Sequence, residues 1–116
     1  MAIRKTTSTN FENEVENNNR CPVSFALARI GGRWKPLILW QLVHGKKRYN
    51  EIKKGIPNVT EKMLIEKLKE LENDGLISRK ALPVVPPHVE YSLTVNGETL
   101  APVLKAIAKW GTAQMI

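Results

Sequence analysis

Residues 57–75 constrain the fold of this chain most, because they carry the signals of a complete helix. Leu64, Leu68 and Leu71 recur at the spacing of one helix face, and the side chains between them are mainly polar. Gly75 is typical of the residue that follows a helix, where the backbone turns left-handed. The sequence therefore predicts an amphipathic helix with one face in the core and a defined end.

Two start signals compete at the beginning of this helix. Thr60 is the best N-cap, and Glu61 then lies beside the positive end of the helix. Val59 and Leu64 are placed as a hydrophobic staple around that cap. Asn58, which has Glu61 three residues later, forms a rival capping box. The sequence therefore leaves the predicted start open by two residues.

Several elements are predicted before this helix. Residues 22–30 place apolar side chains at spacings of three and four, which is typical of a short amphipathic helix. Residues 34–43 are the most apolar run and predict the central buried helix. Residues 46–48 are basic and are predicted to be extended. Residues 49–54 are predicted to form a short helix with Asn50 as its cap.

Two strands and a final helical region are predicted after it. Residues 77–82 and 89–93 alternate as strands do, and the loop between them contains three prolines. Apolar side chains at helical spacing predict a helix over residues 94–116, which Pro102 is expected to kink.

This order of elements predicts a mainly α fold with a small β-hairpin, arranged as a winged helix-turn-helix domain. Residues 57–75 contain the predicted recognition helix, residues 77–93 the wing and residues 94–116 the C-terminal helix. The domain is predicted to span residues 21–116. Residues 1–20 are polar and are predicted to be a flexible arm.

The basic charge of the chain is concentrated around the same helix. Residues 29–80 contain thirteen basic and six acidic side chains, which gives +7, whereas the segments on either side are each neutral. A basic segment favours an anionic partner such as nucleic acid, although many small domains carry similar charge for solubility. Charge and element order together predict a protein that binds double-stranded DNA.

Other function classes find little support in the sequence. The chain has no paired catalytic carboxylates in a pocket-like context, no Ser/His/Asp set and no phosphate loop, so we do not expect an enzyme. Its two histidines have no second ligand nearby, so neither a metal nor a cofactor is expected. A single cysteine, with neither a signal-peptide core nor a long apolar run, predicts a soluble cytoplasmic protein without a membrane partner.

A set of short motifs spread over about residues 20–112 resembles one protein family. The motifs are Cys21-Pro22-Val23, Ile30-Gly31-Gly32-Arg33-Trp34-Lys35, Arg48-Tyr49-Asn50-Glu51-Ile52, Lys62-Met63-Leu64, Leu68-Lys69-Glu70-Leu71-Glu72, Asp74-Gly75-Leu76-Ile77, Pro86-Pro87-His88-Val89-Glu90-Tyr91-Ser92-Leu93-Thr94 and Trp110-Gly111. They resemble those of the HxlR family of bacterial winged-helix transcriptional regulators, within the wider MarR-like group.

The resemblance implies a homodimeric transcription factor whose N-terminal and last helices form the dimer interface. Two recognition helices would then meet a pseudo-palindromic operator. The dimer contacts expected on this basis are Val23, Leu27, Leu100, Val103, Leu104, Ile107 and Trp110. Some members of the family respond to electrophiles, oxidants or small metabolites, and a cysteine at the position of Cys21 carries that role in several of them. A small-molecule effector and modification of Cys21 are therefore both left open.

The expected DNA contacts fall on three parts of the basic segment. They are the early turns of the recognition helix (Thr60, Glu61, Lys62, Ile65 and Glu66), the basic run Lys46, Lys47 and Arg48, and the wing residues Arg79, Lys80 and His88. Lys62 is the strongest candidate for a contact with a phosphate or a guanine. A basic run alone is also typical of a solvated face.

Several of these residues have a plainer interpretation. Thr60 serves equally well as a simple N-cap, and for Glu61 we favour compensation of the helix dipole. Strand residues alternate between faces, so only one of Arg79 and Lys80 is expected to face DNA. His88 either enters a minor groove or merely follows the Pro-Pro turn.

Cys21 and the aromatic side chains leave two further questions open. Cys21 precedes a helix whose positive end favours a thiolate, so a reactive thiol and an unreactive buried cysteine are both consistent with the sequence. Trp34, Trp40, Tyr49 and Trp110 suggest an effector pocket, but core packing is the commoner explanation for each.

The sequence thus predicts a homodimeric, sequence-specific DNA-binding regulator. The alternative is a winged-helix module that binds a protein or shapes DNA without sequence preference. Recognition-helix substitutions that leave operator affinity unchanged would favour this alternative.

Overall fold

The computed structural model describes residues 21–115, so the predicted arm at residues 1–20 lies outside the described part. The chain divides into two compact units between Gly31 and Gly32. The first unit contains helix α1 (Pro22–Ile30). The second contains α2 (Lys35–Val43), β1 (Lys47–Arg48), α3 (Tyr49–Gly55), α4 (Glu61–Asn73), β2 (Ile77–Leu82), β3 (His88–Leu93), α5 (Val95–Glu98) and α6 (Ala101–Gln114).

Helix α1 has the predicted extent. Pro22 lies in its first turn, where a missing backbone N–H leaves no hydrogen bond unmade. In its last turn the Arg29 guanidinium stacks 3.6 Å from the centre of the Phe25 ring. Val23 and Leu27 are 66% and 59% exposed. The helix therefore presents apolar side chains on its surface.

The core of the second unit lies where α2 and α4 pack on the sheet. Leu64, Leu68 and Leu71 of α4 are buried, which confirms the predicted core face. The other buried apolar side chains of this unit are Ile38, Leu39, Leu42, Ile52, Ile56, Val59, Leu76, Ile77, Tyr91 and Leu104. The apolar run of α2 is the central buried helix that its composition predicts.

The start of α4 is set by Thr60. Its side-chain Oγ1 accepts a hydrogen bond from the backbone N–H of Met63 at 3.1 Å. Asn58, by contrast, has a φ of 71° and belongs to the turn before the helix. The rival capping box at Asn58 was therefore wrong. Val59 and Leu64 are both buried, as a hydrophobic staple requires.

The end of α4 is the predicted Schellman motif. Gly75 has a φ of 74°, and the N–H of Leu76 donates to the carbonyl of Leu71 at 3.0 Å. The N–H of Gly75 donates to the carbonyl of Glu72 at 3.0 Å. Both ends of the helix are therefore closed by its own sequence.

The predicted cap of α3 was wrong. The helix begins at Tyr49, the first residue of the predicted range, but its N-cap is Arg48 and not Asn50. Glu51 Oε1 accepts from the backbone N–H of Arg48 at 2.8 Å. Asn50 therefore lies inside the first turn, and the carboxylate of Glu51 supplies the capping contact.

The C-terminal region is two helices and not one kinked helix. Thr94 caps the short α5 by accepting from the N–H of Gly97 at 2.9 Å, and it also donates its hydroxyl to the carbonyl of Gly75 at 2.6 Å. A Cβ on Gly97 would overlap the carbonyl oxygen of Leu76, so this close approach requires glycine. Pro102 lies in the first turn of the separate α6, where proline fits without a kink.

The sheet has the strand order β1–β3–β2, and both pairings are antiparallel. Tyr91 of β3 pairs with Lys47 on one side and with Arg79 on the other. The predicted extended segment before α3 is thus a third strand beside the hairpin. Helices α3 and α4 with this hairpin form the predicted winged helix-turn-helix. No helix in the described range, residues 21–115, combines the length and apolarity needed to cross a membrane.

Candidate nucleic-acid interface

The face of α4 opposite the leucines is exposed and mixed in chemistry. Glu61, Lys62 and Glu66 are exposed, and Ile65 is 42% exposed despite its apolar side chain. This face can offer a cation, carboxylates and an apolar surface to base edges in a major groove. The hydroxyl oxygen of Thr60 is engaged in capping the helix, which supports the plainer interpretation of that residue.

Basic side chains lie on α4 and on the strands β1 and β2, and most of them have no carboxylate partner. Among the basic side chains of these three elements, six form no ion pair within 4.0 Å with a residue that the structure describes: Lys47, Arg48, Lys62, Lys69, Arg79 and Lys80. Lys46 differs, because its Nζ lies 3.7 Å from Glu90 Oε1. Unpaired surface cations are the groups that neutralise phosphates.

A groove of about 620 Å³ separates α4 from the hairpin. Its lining residues are Tyr49, Glu61, Ile65, Lys69, Glu72, Arg79, Val89 and Tyr91. Arg79 lies in this groove, whereas its neighbour Lys80 pairs with Glu90 in the sheet and does not line it. The two wing cations therefore point to different sides, as strand alternation predicts.

The wing loop is apolar and carries no basic residue. Val85 at its tip is 99% exposed, and Val84 is 45% exposed. His88 is the first residue of β3, at the root of the loop, and is half-buried. The structure therefore places His88 away from the loop tip. The minor-groove contact suggested by the sequence would have needed His88 near that tip.

An ion pair between a buried lysine and a partly exposed glutamate joins α2 to the recognition helix, and the sequence did not suggest it. Lys35 is 8% exposed, and its Nζ lies 2.9 Å from Glu70 Oε1. The hydrogen bond from Lys35 lowers the pKa of Glu70, with a smaller contribution from Lys67, 3.4 Å away. A lysine at the head of the most apolar run was the one available signal, because a buried ammonium needs a partner.

Cys21 is exposed, so the buried interpretation of this residue was wrong. Its pKa is lowered, first by a hydrogen bond from the backbone of Ser24, then by the Ser24 side chain and by the backbone of Val23. These donors belong to the first turn of α1. Across residues 21–115, no three His, Cys, Asp or Glu side chains come together as a candidate metal site.

Helix α6 exposes an apolar stripe. Val103, Ile107 and Trp110 are 45%, 57% and 69% exposed, so the core-packing interpretation of Trp110 was wrong. Leu104, by contrast, is buried in the core, and Leu100 is half-buried just before the helix. A shallow apolar groove of about 220 Å³ runs beside the stripe, lined by Pro36, Leu37, Trp40, Leu104, Ile107 and Ala108.

Comparison with known proteins agrees with this architecture. A family model described as HxlR-like helix-turn-helix matches residues 29–116. The HTH-type transcriptional regulator YybR of Bacillus subtilis is 44% identical over 100 residues, which cover 86% of this chain and 80% of YybR.

Two solved structures of one regulator are similar in both sequence and fold. The redox regulator HypR in its oxidized form has a TM-score of 0.77 and 45% identity, covering 80% of this chain and 96% of that chain. Its reduced form has a TM-score of 0.76 and 44% identity, covering 80% and 92%. These likenesses confirm the predicted fold class.

Proposed function

This chain belongs to the HxlR-like helix-turn-helix family and is a transcriptional regulator, and from this premise we propose that it binds a pseudo-palindromic operator as a homodimer. The observation that carries the proposal is the exposed face of α4 between unpaired cations. On the basis of this family, we also place the protein in the cytoplasm of a bacterial or archaeal-type cell.

Base reading is assigned to the early turns of α4. Lys62 reaches a guanine or a phosphate, Ile65 meets a thymine methyl, and Glu66 accepts from a cytosine amine. Glu61 compensates the helix dipole, and Thr60 holds the helix start in place. Only the residues opposite the buried leucines take part, because the fold commits the other face to the core.

Phosphate contacts are assigned to the basic run of β1 and to the wing strand. Lys47 and Arg48 are unpaired, whereas Lys46 is already near Glu90 and contributes less. Arg79 lies beside α4 and is the wing cation that faces the same DNA as the recognition helix. Because these contacts release counterions, operator affinity is expected to fall steeply with salt.

The homodimer is assigned to the terminal helices. The exposed stripe Val103, Ile107 and Trp110 repeats at spacings of four and three, so one face of α6 is apolar over two turns. Val23 and Leu27 supply exposed apolar side chains on α1. We assign a second copy of the chain as the partner that covers these apolar surfaces. A two-fold dimer would also place two α4 helices about 34 Å apart, in successive major grooves.

Modulation through Cys21 forms the second part of the proposal. The thiol is exposed, its pKa is lowered by hydrogen bonds at the start of α1, and the similar protein HypR is named a redox regulator. The thiolate adds to the activated carbon–carbon double bond of an electrophile such as an α,β-unsaturated carbonyl compound: a sulfur–carbon bond forms, the π bond breaks, and the resulting enolate takes a proton from water. Modification at the head of α1 then changes a helix that we place in the dimer interface.

Selection of a random duplex library with purified protein tests the operator proposal. We expect enrichment of an inverted repeat whose half-sites lie one helical turn apart, bound by two chains per duplex. No sequence preference at moderate salt would contradict the proposal and favour a protein-binding or architectural module. A preference for an undivided site bound by one chain would contradict the dimer alone.

The thiol proposal is tested by repeating the selection after treatment with a thiol-reactive electrophile. We expect operator affinity to change in the wild type and to stay constant in Cys21→Ser. Because Cys21 is the only cysteine of the chain, this variant is a complete control for thiol chemistry. An equal change in both proteins would exclude Cys21 as the sensor.

A further inference from the structure

The wing ends in a loop made only of apolar residues. Between β2 and β3 the chain runs Pro83-Val84-Val85-Pro86-Pro87, and all five residues are exposed. Val85 has almost no contact with the rest of the chain, because it is 99% exposed. Soluble proteins rarely expose a contiguous apolar patch unless that patch contacts a partner. The loop therefore indicates a partner that accepts an apolar tip.

The loop is stiff and is held at both ends. Leu82 and His88 are partners in the sheet directly before and after it, and all six residues of β2 pair in register with β3. The proline rings fix the backbone torsion φ, and the branched valine side chains are restricted in χ1. Little conformational freedom is left for the loop to lose on binding. The wing thus presents a preformed tip.

The tip has almost nothing to offer to a phosphate group. None of its side chains can donate a hydrogen bond, and proline has no backbone N–H, so Val84 and Val85 supply the only donors of the loop. The cations Arg79 and Lys80 lie further back, on β2. A contact made by the tip is therefore distinct from the phosphate contact assigned to Arg79.

The position of the loop relative to α4 indicates what the tip meets. Arg79 lines the groove beside α4, and β2 continues for three more residues to Leu82. A strand rises about 3.3 Å per residue, so the loop begins roughly 10 Å beyond Arg79. With α4 in a major groove and Arg79 at the adjoining phosphates, this length brings the tip across the backbone to the neighbouring minor groove. That groove is about 6 Å wide, which suits a narrow hairpin tip without charged or aromatic side chains.

We propose that Val84 and Val85 enter the minor groove as an apolar wedge, which partly unstacks one base step and kinks the operator. The inference rests on the proposed function, because it adds a specificity-determining contact to operator binding. Apolar side chains inserted between base steps bend a duplex by about 20–90° toward the major groove. Since the wedge makes no hydrogen bond to a base edge, it selects a step by its deformability. The expected steps are TA and CA, where a pyrimidine precedes a purine and unstacking is easiest.

Two measurements on the selected operator, made with the full chain, test the wedge. Energy transfer between dyes at the two duplex ends measures bending. The fluorescence of 2-aminopurine, placed in turn at each adenine flanking the half-sites, rises where a base step unstacks. We expect the wild type to bend the duplex and to brighten at least one probe beside each half-site. A straight duplex in which every probe stays dark would overturn the proposal.

The double variant Val84→Ser/Val85→Ser removes the wedge but keeps the length and the prolines of the loop. Both valines are exposed, so the variant is expected to melt at the wild-type temperature. We expect the bend and the probe signal to be lost and operator affinity to fall about tenfold. Val95→Ser is the matched control, because Val95 is an exposed valine of α5, outside the wing. An unchanged bend in the double variant would overturn the wedge and leave the tip for a contact with another protein.

Exchange of the flexible base step tests the same contact from the side of the DNA. Replacing it by a stiffer AA step is expected to weaken wild-type binding about tenfold and to leave binding by the double variant unchanged. Equal losses in both proteins would overturn the wedge, because other residues would then read the step. If the selection yields no operator, the proposed function fails and the wedge fails with it. An operator that is bound without a bend contradicts the wedge alone.

Discussion

Lys35 Nζ lies 2.9 Å from Glu70 Oε1, which joins the first turn of α2 to the last turn of α4. The lysine side chain is 10% exposed and the glutamate side chain 41% exposed, so the two partners depend on the contact to different degrees. A buried ammonium without a carboxylate is costly, whereas a half-exposed carboxylate keeps its contact with water. This asymmetry determines what substitutions of the two residues do.

Glu70→Ala is expected to destabilise the protein more than Lys35→Met. Removing the carboxylate leaves the ammonium of Lys35 buried and unpaired, with an expected loss of about 2 kcal/mol in the free energy of unfolding. Methionine at position 35 fills a similar volume without a charge, and Glu70 retains Lys67, so that loss is expected to be under about 1 kcal/mol. Urea denaturation of both variants measures the difference. Equal losses would mean that the pair is solvated.

The same pair makes stability depend on acid. Because the pKa of Glu70 is lowered in the folded protein, the unfolded chain binds its proton more readily. The stabilisation from this group is therefore present above the unfolded pKa of a glutamate and is lost as pH falls through the lower folded pKa. Urea denaturation across the acidic range is expected to show that the difference in the free energy of unfolding between wild type and Lys35→Met becomes smaller as pH falls. A constant difference would exclude this linkage.

Thr60→Ala is expected to lower the free energy of unfolding by about 1 kcal/mol, because the N–H of Met63 loses its acceptor. Thr60→Ser retains the hydroxyl and is expected to be nearly as stable as the wild type. Thermal melts measure both variants. Operator affinity then separates the two roles of this residue. If Thr60→Ser binds the operator as the wild type does, the methyl group makes no base contact.

Lys62→Ala is expected to weaken operator binding by about 1–3 kcal/mol if Lys62 reads a base. Random duplex is expected to lose less, because a phosphate contact alone carries no sequence information. Lys105→Ala is the matched control, since Lys105 is an exposed lysine of α6, outside the basic segment. Fluorescence anisotropy with both duplexes measures the affinities. Equal losses on both duplexes would assign Lys62 to a phosphate, and no loss would remove it from the interface.

Trp110→Glu is expected to convert the proposed dimer to a monomer, because a charge then replaces the largest side chain of the apolar stripe, at its C-terminal end. Loss of a buried aromatic contact at an interface typically raises the dissociation constant about thirtyfold or more. Val95→Glu on α5 is the matched control, since Val95 is 87% exposed and lies outside the stripe. Sedimentation velocity distinguishes monomer from dimer. A dimer that survives Trp110→Glu would place the interface elsewhere.

Features that depend on neighbouring residues were predictable from the sequence. The end of α4 is an example, because the N–H groups of Gly75 and Leu76 bind carbonyls within five residues of themselves. Its start at Thr60 was favoured by the sequence, but the φ of 71° at Asn58 was needed to exclude the rival cap. The core face of α4 was equally predictable, since helical spacing decides which leucines point inward. The strand alternation that separates Arg79 from Lys80 followed from the same kind of local rule.

Features that depend on distant residues were not predictable. The partner of Lys35 is Glu70, which only the folded chain brings near. The requirement for glycine at position 97 of α5 comes from the carbonyl of Leu76, on a separate segment. Within the candidate site, the sequence predicted the basic residues. It did not predict that the Tyr49 hydroxyl is buried without a hydrogen-bond partner among the described residues, because hydrogen bonds to a buried group are a tertiary property.

The pairing of β1 with β3 has a consequence for how this fold can vary. Because Lys47 and Tyr91 are partners in the sheet, the chain that holds α3, α4 and the wing leaves and returns at one point. Residues on the exposed face of α4 and in the wing can therefore be exchanged for those of a relative while the ends of this segment stay where they are, as long as the buried leucines of α4 and Glu70, the partner of Lys35 on α2, are kept. Under the proposed function, such an exchange would change the DNA-contacting residues and leave the apolar stripe of α6 unchanged.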